Sequence, residues 1–499
     1  MRYLLTGKQM KQVDQYTISQ IGIPSLVLME RAAFAVAEEV KKRVGKRDHI
    51  WAACGTGNNG ADGIAAARML HLCGYDVTVL LAGNPQKGTE EYRRQLSIAQ
   101  RLDLNIAEFN DFIPGRCDVL VDAVFGVGLD REITGEYRDV LLLLRERNPK
   151  LTVAVDIPSG IHSDNGRVMG IALKADVTVT FGWQKLGTFL YPGREYSGEV
   201  IIDRIGFPKQ SLAKACPQAF TYEEADKSRI PARPAYSNKG TFGKVLLIAG
   251  SAGMSGAAYL SASAAYAMGA GLVKIWTVEE NRAILQQQLP EAIIQVYDPD
   301  EVLCETDDFK EKAQKVLDWA DLLVLGPGLG QGEYVSHLVE FVLSHAYVPM
   351  VLDADGLNAV ARRPELTGYF TENIIITPHV GEMARLTGKT TEEISGSLSE
   401  TAAAYSSRYG ITCVLKDAVT IVAMRDGRIY YNSSGNSAMA KAGSGDVLTG
   451  VIAGLLALGM EEPEAAALGV YLHGCAGDRV RRERGEHGLF ARDIVEALR

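Results

Sequence analysis

Two glycine-punctuated stretches carry the residues that could do chemistry. The later one, KAGSGDVLTGVIAGLLA at 441–457, reads as a tight turn, an acidic residue and an apolar helix. Gly443 and Gly445 let the backbone turn sharply and approach a ligand closely. The helix behind them offers unpaired N–H groups and a positive dipole end, which suits phosphate. Asp446 would repel phosphate. It can instead take a proton from a hydroxyl that attacks phosphorus, help hold a metal, or cap the helix. The earlier stretch, GTGNNGADG, has Gly55, Gly57 and Gly60 in the spacing of a dinucleotide fingerprint. The Rossmann version of that fingerprint wants an acid roughly 20 residues on, at the end of the second strand. Here that strand ends LLAGNP, without one. Asn58, Asn59 and Asp62 put oxygen-bearing side chains at the mouth of a helix. They suit a cation or polar ligand better than bare pyrophosphate, and would also serve as plain turn and cap residues.

Other acids stand out. Asp122 lies inside the apolar run VLVDAVF, where an unpaired carboxylate is costly and a cation is one candidate partner. Asp156 and Ser159 sit near the end of LTVAVDIPSG. Ser159 and His162 do not suggest a hydrolase, since there is no GxSxG elbow. Asp353 and Asp355 close MVLDADGLN, where a turn role is the default. His379 in TPHVGEM is a turn residue or a ligand contact, and Lys416 in VLKDAVT a phosphate contact or a strand-end lysine. No GxxxxGK[ST] occurs, so this is not a P-loop NTPase.

The elements that must position these residues follow from periodicity. Residues 9–44 read as helical, from apolar spacing of three and four. HIWAACGTGNNGADGIAAARMLHLCG followed by DVTVLLAG is strand, loop, helix, strand: a βαβ unit, hence a parallel sheet. Further strands lie in VLVDAVF, LTVAVDIPSGIHSD, ADVTVTFGWQKLGTFLYPG and GEVIIDRIG. If the sheet is open, Asn59, Asp122, Asp156 and Ser159 converge outside the carboxyl ends of its strands. Pro208, Pro217, Pro231 and Pro234 then punctuate a polar run, which places a domain boundary near 215–235. The second half repeats the strand, glycine-loop, helix alternation without a fixed period. The expected architecture is α/β throughout, with domains at 1–215 and 225–499.

GTGNNGADG, VDAVFGVGLDRE and VDIPSG together resemble the NAD(P)H-hydrate epimerase family over most of residues 1–210. The resemblance implies a Rossmann-like three-layer domain that interconverts R- and S-hydrated NADH or NADPH. It places a potassium ion on Asn59, Asp122 and Ser159. It places substrate along Asn58, Asn59, Gly60, Ala61 and Asp62, and along Gly126, Val127, Gly128, Leu129, Asp130, Arg131 and Glu132, with Tyr137. Asp156 both binds substrate and shuttles a proton. Residues 225–499 carry GSAGMSGAA, GPGLG, LDADGLN, TPHVGEM, LKDAVT and AGSGD in order. That set resembles the ADP- or ATP-dependent NAD(P)H-hydrate dehydratases, of ribokinase-like fold. It implies substrate at Gly328, at His379, Val380, Gly381, Glu382, Met383, Ala384 and Arg385, and at Asp446, the proton acceptor. It implies nucleotide along Lys416, Asp417, Ala418, Val419 and Thr420. The same nucleotide would run along Asn436, Ser437, Ala438, Met439, Ala440, Lys441, Ala442, Gly443, Ser444 and Gly445, with magnesium offsetting phosphate charge.

Composition sets the frame. With 499 residues, 47% hydrophobic and 23% charged, the chain is an ordinary globular protein of two or three domains. A net charge of -9 argues against nucleic acid or an anionic membrane as partner. Seven scattered cysteines without a CxxC fit reduced thiols. The polar start MRYLLTGKQMKQVDQ does not read as a signal peptide, and a cytoplasmic enzyme is expected. The expected function is bifunctional repair of NADHX and NADPHX with ADP giving AMP and phosphate, in a homo-oligomer. The homo-oligomer and ADP rest on the resemblance alone. The rival readings are a ribokinase-like small-molecule kinase with a regulatory N-terminal domain, and a first half that only binds nucleotide or protein.

Overall fold

The computed structural model describes residues 1–111 and 115–498. They form two compact units, Tyr3–Pro217 and Gln218–Arg499, the latter with Met1–Arg2. The expected domain ranges include 112–114 and 499, which lie outside the described residues.

The two-residue strand β1 (Arg2–Tyr3) opens the chain. The first unit begins with helices Gly7–Tyr16 and Ser25–Lys41. One helical stretch was expected over 9–44. It breaks because Gly22 takes a left-handed φ of +86 and Pro24 cannot continue a helix. Its sheet contains β2 (His49–Cys54), β3 (Asp76–Leu81), β4 (Asn105–Glu108), β5 (Val119–Ala123), β6 (Leu151–Val155), β7 (Val177–Phe181) and β8 (Glu199–Asp203). All pairs are parallel, in the order β4-β3-β2-β5-β6-β7-β8. Helices cover both faces, so central strands such as VLVDA are buried along their whole length. The order reverses between β2 and β5. The loops after those two strands therefore part and leave a crevice at their carboxyl ends.

The second unit is built on β9 (Ala219–Thr221), β10 (Lys244–Ile248), β11 (Leu272–Val278), β12 (Ile293–Tyr297), β13 (Leu322–Leu325), β14 (Met350–Leu352), β15 (Ile374–Ile376), β16 (Thr412–Leu415), β17 (Ile421–Ala423) and β18 (Ile429–Tyr431). The sheet order is β1-β9-β18-β17-β16-β15-β14-β13-β10-β11-β12. The run from β16 back to β12 is parallel; β16, β17 and β18 form an antiparallel meander. Here the reversal falls between β10 and β13. Gly250 N donates to Pro327 O at 2.8 Å, tying the loops that follow those two strands. Helices Ser255–Ala267 and Ser444–Ala457 press together through small residues: a Cβ on Gly450 would meet Ser261 O at 2.1 Å. Among the described residues, no helix is long and apolar enough to cross a membrane.

Candidate active sites

The first site sits at the β2/β5 crevice. After β2 the chain turns so tightly that a Cβ on Gly60 would lie 1.7 Å from Gly55 O. That closeness starts helix Asn58–Leu72 directly at the loop. Ala61 turns into the core, and Asn58, Asn59 and Asp62 line a cavity of about 370 Å³. Asp156, Asp14 and Lys185 line it too.

Asp122 is fully buried at the floor of this region. Ser159 N donates to its Oδ2 at 2.8 Å and Ser159 Oγ to its Oδ1 at 2.5 Å. Burial pushes the carboxyl up to about 6 even so. Phe125 N donates to Ser159 Oγ at 2.8 Å, and the Asn59 side chain lies against Gly126 of the same loop. Asn59 Nδ2 is buried with no partner. Oxygens of Asn59, Asp122 and Ser159 are thus gathered about one short loop, with a buried carboxylate short of positive charge. Such an all-oxygen, singly charged donor set fits a monovalent cation. Among the described residues no group of three His, Cys, Asp or Glu could hold a metal.

Asp156 follows β6 with φ +69, a costly conformation for a non-glycine residue. It is over-determined by its partners. Thr180 Oγ1 and Phe181 N each donate to Oδ1 at 3.1 Å, and Lys185 Nζ donates to the same oxygen. Lys185 is 1% exposed and spends its other donors on Phe181 O and Thr180 Oγ1. The sequence reading missed it, although a lysine inside the apolar run VTVTFGWQKLGTFL was a visible signal. Burial pulls its ammonium down, opposed by Asp156.

Of the 126–132 loop, Gly126 and Val127 reach the cavity lining. Leu129 is a core side chain, packed with Ile133 and Val140 rather than facing a ligand. Gly128, Asp130, Arg131 and Glu132 are exposed beyond it. Tyr137 packs beside this loop, its ring centroid 4.9 Å from that of Phe125 and its hydroxyl 3.3 Å from Thr56 Oγ1.

The second site surrounds the turn before helix Ser444–Ala457. Gly443, at φ +90, occupies the cap position. Asp446 is therefore the third residue of the helix, and its side chain is not the cap. Burial, then the Asp353 charge, pushes its carboxyl up to about 7, with Lys416 opposing. Lys416 Nζ donates to Asp353 Oδ1 at 2.9 Å, and Thr449 Oγ1 donates to Asp353 Oδ2 at 2.7 Å. The Asp353 backbone does turn into helix Ala354–Arg362, as expected, but its side chain serves this buried pair and not the cap. Burial raises its carboxyl, but Lys416 and the Thr449 hydroxyl more than offset this. A Cβ on Gly445 would sit 3.4 Å from Lys416 Nζ, which places that ammonium at the anion-binding turn.

His379 caps helix Val380–Thr387: its Nδ1 accepts from Gly381 N and Glu382 N, and Glu382 returns the bond to His379 N. Burial, helped by Lys416, lowers its pKa and keeps the ring neutral. Val380 and Ala384 are part-buried, Met383 belongs to the core, and Arg385 Nε donates to Asn358 Oδ1. Gly328, at φ +64, touches the 250–254 loop, where Ser251 Oγ donates to its carbonyl. In the nucleotide stretches, Asp417, Ala418, Ser437, Ala440 and Ala442 are exposed, Thr420 and Ser444 less so, and Val419 and Ala438 are buried. Asn436 is tied to Asp478, Met439 packs on Gly477, and Lys441 Nζ donates to His487 O and Leu489 O. That lysine is committed to holding the neighbouring segment. Ser444 Oγ lies 3.4 Å from the buried His473, which burial lowers to about 4 and keeps neutral.

Comparison with known proteins now decides the family. Residues 245–499 match the family model for NAD(P)H-hydrate dehydratase, and residues 25–187 that for the YjeF-related protein N-terminus. Over 497 residues the chain is 36% identical to the bifunctional NAD(P)H-hydrate repair enzyme Nnr of Thermofilum pendens, covering 98% of this chain and 94% of that one. The chain belongs to the bifunctional NAD(P)H-hydrate repair enzymes. The repair enzyme of Moorella thermoacetica is 37% identical over 512 residues, covering 99% and 96%. Among solved structures, an ADP/ATP-dependent NAD(P)H-hydrate dehydratase from Bacillus subtilis, co-crystallised with ATP and Mg2+, is 35% identical. It covers 54% of this chain and 91% of that one, with a TM-score of 0.46. Both units of this chain are α/β, each on a wholly or mainly parallel sheet.

Proposed function

We propose that the first unit interconverts the R and S hydrates of NADH and NADPH at the Asp156 cavity, and that the second dehydrates the S form using ADP. The observation that carries the second half is Asp446: a part-buried carboxyl pushed up to about 7, three residues past a left-handed glycine, beside an ammonium. The hydrate hydroxyl gives its proton to Asp446 as its oxygen attacks the terminal phosphorus of ADP. The bond to AMP breaks, and the phosphate ester forms. Phosphate leaves a carbon far more readily than hydroxide does. The ring nitrogen supplies the electron pair that expels it, and loss of a proton from the adjacent ring carbon restores the dihydronicotinamide. The N–H groups at the start of helix Ser444–Ala457, with Lys416, stabilise the transferring group.

Asp446 is an oxygen donor of the kind magnesium takes together with nucleotide phosphates, and burial and the neighbouring acids Asp353, Asp355 and Glu382 disfavour its charge unless positive charge is supplied. The ion, when bound with the nucleotide, offsets phosphate charge. In the first unit Asp156 moves the proton, and the Asn59, Asp122 and Ser159 set is assigned to potassium. We take ADP as the phosphoryl donor, a homo-oligomer as the assembly and the cytoplasm as the location. The last is supported by seven cysteines that are all free. The small-molecule kinase alternative is set aside because both halves match the repair family. The test supplies S-NADHX and ADP and follows the near-ultraviolet absorbance of NADH; AMP and phosphate appear in step with it.

A further inference from the structure

The first cavity holds two carboxyl groups in opposite circumstances. The three donors that reach Asp156 all converge on Oδ1: Thr180 Oγ1, Phe181 N and Lys185 Nζ. Among the described residues, nothing donates to Oδ2, which leaves an acceptor on a residue that lines the cavity. Asp62 lines the same cavity from the first turns of helix Asn58–Leu72. Among the described residues, no hydrogen bond reaches its carboxyl group. Burial, and the like charges of Asp156 and Asp14, push it well above the ordinary range, with Lys185 opposing. With no donor to stabilise its charged form, it is the carboxyl of the two suited to carry a proton. A carboxyl held by an ammonium and two further donors, facing one cavity with a carboxyl that has no donor, is suited to act as base and its neighbour as acid.

The cavity as a whole points the same way. Its charged lining is Asp14, Asp62, Glu91 and Asp156 against Lys11 and Lys185. Carboxyl groups outnumber ammoniums, so the cavity favours a ring that becomes cationic over a pyrophosphate.

We propose that Asp62 is the general acid of the epimerase and Asp156 its base, and that the hydrate inverts by loss and re-addition of water. The Asp62 proton passes to the substrate hydroxyl as the carbon–oxygen bond breaks. Water leaves, and the ring nitrogen's lone pair becomes the second bond of a carbon–nitrogen double bond. The ring is then an iminium cation facing carboxylates. A water adds to the opposite face of the same carbon, the π pair returns to nitrogen, and the water's proton goes to Asp156. One proton has moved from Asp62 to Asp156, one oxygen has exchanged with solvent, and nothing is oxidised or reduced. The reverse inversion uses the same pair in the opposite sense. Ring opening, the other route to inversion, would keep the substrate's own oxygen on that carbon.

This deepens the epimerase reading and rests on it. The experiment incubates the full chain with R-NADHX, without ADP, in water enriched in heavy oxygen. The epimers are then separated and weighed by mass spectrometry, against an enzyme-free control. Solvent oxygen in every S molecule that the protein forms is the expected result. S-NADHX that retains its original oxygen overturns the proposal while leaving the epimerase in place. No interconversion above the control removes the epimerase reading itself. Asp62→Asn is expected to slow inversion by roughly 10²–10⁴-fold, with Asp62→Glu recovering part of the rate. Both variants should keep the ADP-dependent dehydration of S-NADHX, which reports that the chain has folded. Inversion by Asp62→Asn at the wild-type rate also overturns the assignment.

Discussion

Lys416 Nζ meets Asp353 Oδ1 at 2.9 Å, joining positions 63 apart in the sequence at the base of the phosphate turn. Asp353 is 1% exposed, and its second oxygen is taken by Thr449. The pair therefore points one ammonium at the turn and leaves Asp446 as the carboxyl there that is free to accept a proton.

Removing Asp353 should cost more than removing a surface charge. Asp353→Ala strands the Lys416 ammonium in a largely buried position, and breaking such a pair costs about 3–5 kcal/mol. Urea unfolding of the full chain should show the second unit destabilised by that order. Dehydration should fall with it, while R/S interconversion in the first unit stays at the wild-type rate.

The pH dependence of dehydration follows from Asp446. Its carboxyl, raised to about 7, is protonated below that value and a base above it. The turnover number should therefore climb as pH rises through about 7. Stability runs the other way. A carboxyl with a raised native pKa contributes stability that is full below its unfolded value and lost as pH rises through about 7. Asp446→Asn should abolish dehydration yet, above pH 7, melt at a higher temperature than wild type. The gain should be on the order of 1–2 kcal/mol, shrinking on acidification. Equal melting at all pH values would contradict this assignment.

The Asn59, Asp122 and Ser159 site predicts a cation requirement in one activity. Exchange into a tetramethylammonium buffer should slow interconversion, and added potassium should restore it. In Asp122→Asn the potassium response should be lost, with a fall of at least the roughly tenfold that even an outer-shell defect brings. An Asp122→Asn protein that still responds to potassium would remove that residue from the site.

Gly60→Ala tests the loop geometry alone. The new methyl would meet Gly55 O at 1.7 Å, and the backbone there cannot yield without moving the start of helix Asn58–Leu72. Interconversion should be lost and dehydration kept, measured on the same preparation.

The sequence made some of this legible and hid the rest for physical reasons. GTGNNGADG and AGSGD could be read because close backbone approach admits only glycine, and such positions cluster along the chain. The strands β2 to β8 could be read because burial on both faces leaves unbroken apolar runs. Lys185 and Asp353 could not be assigned. Their meaning lies in partners 29 and 63 residues away, and only the sheet order brings those together. The capping alternative for Asp446 turned on whether the helix began at Gly443 or three residues later, which local composition does not decide. Asp14, on the first helix, lines the same cavity as Asp62, a placement that only the fold brings about.

The central claim is that one chain both inverts and dehydrates the hydrate, and one measurement tests it most directly. R-NADHX is given to the protein with ADP and magnesium, and the return of NADH is followed for wild type, Asp156→Ala and Asp446→Asn. Wild type should return NADH from R-NADHX faster than the spontaneous inversion rate allows. Asp156→Ala should be held to that spontaneous rate yet act normally on S-NADHX, and Asp446→Asn should return none from either epimer. NADH formed from R-NADHX by Asp446→Asn, or none formed by wild type from S-NADHX with ADP, would contradict the account.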